Sequence, residues 1–326
     1  MTGGAGFIGS HLVDALTTRG DSVLIVDDLS TGRRRNIAHV AESAEVDFVE
    51  GSILDAELVD RCMQEVDACF HLASAVGVKL IVSQQLDSLT RNVKGAETVI
   101  SAAARYERRM LFTSTSEIYG KNGQGALTED SDRILGSPFK SRWSYSTAKA
   151  FGEALAHGYY REQGASNVVV RLFNTVGPRQ SSAYGMVLPR FVRQALQGQS
   201  LTVYGNGTQS RCFAHVLDSV HALVLLMDSA EATGQVFNIG SSVEVPIVEL
   251  ARRVIERVGS ESKIELVPYD KAYQPGFEEL GRRIPDTSKL QALTGWVPTR
   301  TVDEAIDDVI TYEQSTGELP RLKLAG

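Results

Sequence analysis

The chain has 326 residues, 43% of them hydrophobic, enough for one large α/β domain or two unequal lobes around a sizeable core. Its formal net charge of −7 disfavours nucleic acid and anionic membrane as partners, because neither is drawn to an acidic surface. The three cysteines form no CxxC pair and the six histidines show no ligand spacing, so no disulfide scaffold and no metal are expected in what reads as a cytoplasmic protein without a membrane anchor.

Only Met1 precedes "TGGAGFIGSHL", although a dinucleotide turn follows directly on a strand, so either the start is clipped or the central strand is truncated. Gly3, Gly6 and Gly9 recur at every third residue before a helix expected over Ser10–Arg19. The first two let the backbone turn and approach a pyrophosphate at the helix N-terminus; the third lets helix and strand pack closely. The next strand, "SVLIVDD", ends in Asp27, where a carboxylate accepts the ribose hydroxyls of an adenosine and repels a 2′-phosphate. NAD is therefore favoured over NADP, and Arg33, Arg34 and Arg35 read as a solvated loop.

Further buried strands are expected at "VDFVEG", "ACFHLAS", "RMLFTSTS" and "NVVVRLFN", alternating with helices such as Leu89–Tyr106 and Tyr145–Gln163. This is the rhythm of an α/β protein with a doubly wound parallel sheet, expected to have about seven strands. After Gly177 the rhythm breaks at "VGPRQ", "YGNGT", "YQPG" and "GWVP". Residues 1–176 are read as the dinucleotide domain and 177–326 as mainly a smaller C-terminal lobe, with "QVFNIGS" returning to the sheet and "LPRLKLAG" frayed.

Two stretches carry chemistry. "TSTSEIYG" puts Thr115, Ser116 and Glu117 at the tip of a buried strand, where polar groups are costly unless solvent or a ligand meets them. "YSTAK" sets Tyr145 and Lys149 one helical turn apart. Lys149 and a nicotinamide charge are expected to lower the phenol pKa from about 10 towards neutrality, making Tyr145 a base.

The combination of these stretches with "DDLSTGRRRN", "HLAS", "RLFNTVGPR", "LTVYGNGTQSRCF" and "RRIPD…GW" resembles the extended short-chain dehydrogenase/reductases, the NAD-dependent epimerase/dehydratase family. Within it, "DDLSTGRRRN", "LTVYGNGTQSR", "RWSYSTAK" and "RCF" are most similar to UDP-glucuronic acid decarboxylases. The resemblance implies a Rossmann fold and NAD held by Gly3, Gly6, Phe7, Ile8, Asp27, Asp28, Ser30, Thr31, Gly32, Ser52, Ile53, Leu72, Ala73, Ser74, Thr90, Tyr145, Lys149 and Thr175. It implies catalysis by Tyr145, Lys149, Thr115, Glu117 and Arg211, with Ser116 and Arg142 near the substrate. It also implies that Asn174, Val187, Arg190, Tyr204, Gln209, Arg211 and Arg283 hold UDP, Arg283 as a phosphate clamp. The expected reaction is decarboxylation of UDP-glucuronate through a UDP-4-keto sugar to UDP-xylose or the keto-pentose. A 4-epimerase, a 4,6-dehydratase and a non-catalytic NAD-binding scaffold are the alternatives. A homodimer is expected through a four-helix bundle of the two helices above, with Phe151, Leu155 and Tyr159 facing outward.

Overall fold

A computed structural model of the protein describes residues 1–77, 84–183, 185–272 and 282–316. The short β-branched and aromatic runs become strands β1 (Val23–Asp27), β2 (Val46–Glu50), β3 (Ala68–His71), β4 (Arg109–Thr115), β5 (Asn167–Leu172) and β6 (Val236–Ile239). All pair in parallel, β2 with β1 and, across the other part, β3–β4–β5–β6. The first residues of the chain close the gap between β1 and β3. Thr2 bridges Val26 on one side and His71 on the other. Val26 N donates to Met1 O (2.9 Å), Thr2 N to Phe70 O (3.0 Å) and Leu72 N to Thr2 O (3.1 Å), so these first residues join the sheet as a short central stub. The Met1 ammonium is buried, donates to Leu24 O at 2.6 Å, and is pushed to a lower pKa by desolvation.

Helices α1 (Phe7–Arg19), α2 (Ala56–Gln64), α3 (Gln85–Arg105) and α4 (Arg142–Gln163) follow, and α1, α3 and α4 each begin about a turn before their apolar spacing marks them. Leu12 and Leu16 of α1 pack with Val220 and Leu223 of helix Val216–Asp228 over one face of the sheet. On the other face Val59, Ile100 and Ala156, from α2, α3 and α4, close over Met110, Phe112 and Val169. Leu155 and Tyr159 rest against this second cluster, with Tyr159 OH donating to Ser101 Oγ at 3.2 Å, so they lean on their own chain, whereas Phe151 is 40% exposed.

Helices Val187–Leu196, Ile247–Val258 and Val302–Ser315 form a separate core with strand Leu201–Tyr204, which pairs in parallel with Ile264–Val267. Phe237 of β6 together with Leu290 and Trp296 joins the first core, so the chain beyond Gly177 passes between the two. Residues 273–276 ("YQPG") and 319–326 ("LPRLKLAG") lie outside the described residues. Among the described residues no helix is long and apolar enough to cross a membrane, and no cluster of side chains is disposed to hold a metal.

Besides these backbone bonds the stub has a buried side-chain contact, Thr2 Oγ1 to His71 Nδ1 at 2.7 Å. Thr2→Val should lower unfolding stability of the cofactor-stripped protein by about 1–3 kcal/mol, because it strands a buried ring nitrogen. Urea unfolding measures this; an unchanged midpoint would show that the contact is not what holds the stub.

Candidate active site

At Gly3 the backbone φ is +75°, and a Cβ would stand 2.7 Å from Ala73 N, so the turn requires glycine. Gly6 is the N-cap of α1, and a Cβ there would meet only Gly3 O, at 3.1 Å. Otherwise it would occupy the open space at the helix N-terminus, the cradle in which a pyrophosphate fits. Asp27 is buried at the end of β1 and accepts from Ala5 N and Leu29 N, both at 2.9 Å. Burial raises its pKa, and those two bonds tie the glycine turn to the strand end.

A cavity of about 500 Å³ runs from this turn to the tip of β4. Its nucleotide end is lined by Gly3, Gly6, Phe7, Ile8, Asp27, Asp28, Ser30, Thr31, Ser52, Ile53, Leu72, Ala73, Ser74 and Thr175. Its other end is lined by Thr115, Ser116, Glu117, Arg142, Tyr145, Lys149, Asn174, Val187, Arg190, Tyr204, Gln209, Arg211 and Arg283. Two expected residues do not line it. Gly32 packs beneath the Asp27 carboxylate, and the rotation of α3 presents Arg91 in place of Thr90.

The strand tip is where the polar residues Thr115, Ser116 and Glu117 come to rest. Thr115 Oγ1 accepts from Glu117 N at 3.2 Å and caps the short turn Ser116–Tyr119. Arg142 Nη2 lies 3.4 Å from Glu117 Oε1, and Arg283 Nη1 donates to Ser116 Oγ at 3.4 Å. Both guanidinium groups are buried, 8% and 5% exposed. Arg283, expected as a phosphate clamp, is thus placed beside Ser116, because Ile284–Pro285 pairs in parallel with Ala126–Leu127 and carries it there.

From α4, the Tyr145 phenol is hydrogen-bonded to Ser74 and Thr115. Ser74 Oγ in turn donates to Asn92 Oδ1 at 2.7 Å, which also accepts from Ala75 N at 2.9 Å. Lys149 Nζ donates to Thr113 O at 2.8 Å and lies 4.9 Å from the centre of the Phe112 ring. In the cofactor-free chain the phenol pKa is raised. Burial first, and the Glu117 charge second, push Tyr145 up, while burial brings Lys149 down to about 7. A nicotinamide charge, the other part of the expected depression, would act against that rise.

In the second lobe the Arg190 guanidinium lies 4.4 Å from the centre of the Tyr204 ring and donates to Thr202 O at 3.1 Å. Gln209 Nε2 donates to Tyr204 O (2.9 Å), Arg211 Nη1 to Ser210 O (2.7 Å) and Asn174 Nδ2 to Cys212 O (3.1 Å). Sequence reasoning missed Asn92 and Arg179. The first is signalled by a buried polar residue in the apolar stripe of α3, at helical spacing from Ala96 and Val99. Arg179 has a φ of +66° and pairs with Asp14 at 2.8 Å, and nothing local announces it.

Residues 1–240 match the model of the "NAD dependent epimerase/dehydratase family". The UDP-N-acetyl-alpha-D-glucosaminuronate decarboxylase of Bacillus cytotoxicus is 39% identical over 313 residues, 96% of each chain. UDP-glucuronic acid decarboxylase 1 of Xenopus tropicalis is 34% identical over 314 residues, 96% of this chain and 71% of that protein. The crystal structure of UDP-glucuronic acid 4-epimerase from Bacillus cereus, in complex with UDP-glucuronic acid and NAD, superposes with a TM-score of 0.87 at 26% identity, covering 97% of this chain and 98% of that one.

The depressed Lys149 has a consequence for stability. Between its folded pKa of about 7 and its ordinary 10.5, the unfolded chain binds a proton that the folded chain does not. Stability therefore rises with pH through that window, the penalty being full below it. Cofactor-stripped protein should gain in melting temperature from pH 7 to 9, and Lys149→Met should flatten that rise. Equal slopes in the two proteins would show that Lys149 is not the titrating group.

Proposed function

The chain belongs to the NAD dependent epimerase/dehydratase family, and from that premise we infer that it removes carbon dioxide from UDP-glucuronate through a UDP-4-keto sugar, giving UDP-xylose or the UDP-4-keto-pentose. The observation that carries this reading is the convergence of Arg142 and Arg283 on the Ser116–Glu117 tip. Buried guanidinium groups suit a carboxylate, which a uronate brings at C6 and a neutral hexose lacks.

When bound, NAD supplies an acceptor for the hydride of C4 and can return it. The glycine cradle and Asp27 hold it, Asp27 against the adenosine ribose. Tyr145 takes the 4-hydroxyl proton, and Thr115, already hydrogen-bonded to Tyr145, holds the 4-oxygen. Once C4 is a ketone, the C6 carboxylate is a β-keto acid. The C5–C6 bond breaks, its electrons pass into the ketone as an enolate, carbon dioxide leaves and a proton returns to C5. Glu117, held by Arg142, orients the sugar or a water for that return. Ser116 is no acid, so expulsion of a 6-hydroxyl has no donor there. A charged Glu117 keeps the sugar in one pose, against the rotation that epimerisation needs. In the second lobe Arg190 and Tyr204 wall the base while Arg211 faces the diphosphate.

A second substrate of the same class, the 2-acetamido uronate, is favoured by the 39% identity to the Bacillus cytotoxicus enzyme over 96% of both chains. We further place the protein in the cytosol, as a homodimer through α3 and α4, for which the exposed Phe151 is the supporting feature.

Incubation with either UDP-uronate should release carbon dioxide; interconversion of UDP-glucuronate and UDP-galacturonate without release would promote the epimerase instead. Tyr145→Phe should give no NADH absorbance on adding substrate. Glu117→Gln should keep that first signal and lose turnover by about 10²-fold or more. Asp27→Ala should purify with less NAD and discriminate less against NADP, and an unchanged preference would remove Asp27 from the ribose. Sedimentation at micromolar concentration should find a dimer; monomer alone would count against the helical interface.

A further inference from the structure

We propose that Asn238 is a positioning residue for carbon dioxide release, locking the segment that carries Arg283 to the turn that carries Ser116 and Glu117. The inference rests on the decarboxylase reading and adds to it a residue outside the cavity. Asn238 is fully buried in β6, between Phe237 and Ile239, which belong to the apolar core. Its Oδ1 accepts from Tyr119 OH at 2.7 Å, and Tyr119 ends the Ser116–Tyr119 turn. Its Nδ2 donates to Leu127 O at 2.9 Å and to Asp286 O at 3.2 Å. Those carbonyls lie at the ends of the paired segments Ala126–Leu127 and Ile284–Pro285, and Arg283 immediately precedes the second. One amide thereby spans both sides of the Arg283–Ser116 contact.

The network behind it is closed. Arg171 Nη1 donates to Tyr119 OH (2.9 Å) and Glu129 O (2.7 Å), Asn238 N donates to Glu129 Oε1 (2.7 Å), and Arg171 pairs with Glu153 of α4 at 2.7 Å. A satisfied buried network fixes relative position more than it adds stability. An apolar side chain could fill the same space in β6, but none could hold the turn and the Arg283 segment together. Hydride transfer at C4 uses Tyr145 and Thr115, which Asn238 does not touch; loss of the C6 carboxylate is the step that uses the Arg283 side.

Two variants cut the link on opposite sides. Tyr119→Phe removes only a hydroxyl and frees the turn. Asn238→Asp keeps an acceptor for Tyr119 and removes the donor to Leu127 and Asp286. With saturating UDP-glucuronate, both should form NADH at the wild-type rate and release carbon dioxide about 10- to 100-fold more slowly. The double variant should be little worse than either single one, since the two act through one link. Carbon dioxide release at the wild-type rate with only a lower melting temperature would overturn the proposal, as would equal loss of NADH formation and release. Should Asn238→Asp fail to fold, Tyr119→Phe decides alone. Wild-type enzyme that releases no carbon dioxide from a UDP-uronate would instead remove the decarboxylase reading, and this proposal with it.

Discussion

The bond from Lys149 Nζ to the Thr113 carbonyl, 2.8 Å long and closed off from water, sets the register on which the site depends. Four residues of helix advance about 6 Å, and two residues of strand advance about 6.6 Å. Once Lys149 is seated on Thr113, Tyr145 must arrive beside Thr115, because α4 runs against β4 and the two repeats nearly match. The observed Tyr145–Thr115 hydrogen bond is that match. Strand alternation then puts Ser116 and Glu117 past the end of β4, where the chain turns and their side chains meet the cavity. Polar residues at a buried strand tip are tolerated because each has a partner: Thr115 a turn amide, Ser116 and Glu117 an arginine each.

That same burial sets the electrostatics. Desolvation pulls Lys149 and Tyr145 towards their neutral forms from opposite sides, one down to about 7 and the other upward. Glu117 adds to the burden on the phenol, and Arg142 lies against Glu117. A positive nicotinamide ring beside the phenol would act against that burden.

What the sequence made legible was local. The glycine spacing, Asp27 at a strand end and the Tyr145–Lys149 turn are each set by neighbours within one or two elements, and the structure brings these residues to one cavity. How deeply the phenol is buried was not legible, because burial is a property of the packed whole. Nor was the placement of Arg283, which depends on Ile284–Pro285 finding Ala126–Leu127 across the chain. Gly32 and Thr90 do not line that cavity for a finer reason. A motif carries its residues in bulk, whereas the rotation of α3 and the packing beneath Asp27 select which of them reach the cavity.

The two ends of the sugar site consequently differ in what holds them. C4 would meet Tyr145, Thr115 and Lys149, fixed on α4 and β4, which pack together in the second cluster. The C6 side would meet Arg142 at the first residue of a helix and Arg283 on a segment that pairs over only a two-residue register. Groups on rigid elements keep their geometry through sequence change, and groups on linking segments are easier to re-aim. Proteins with decarboxylase and 4-epimerase names share this fold, the latter at a TM-score of 0.87. Such divergence is what a common oxidation at C4 would require, followed by loss of the C6 carboxylate in one case and return of the hydride to the other face of C4 in the other. A buried amide that fixes the C6 side from behind, as Asn238 does, is then the means by which a short pairing acquires the precision of a core strand.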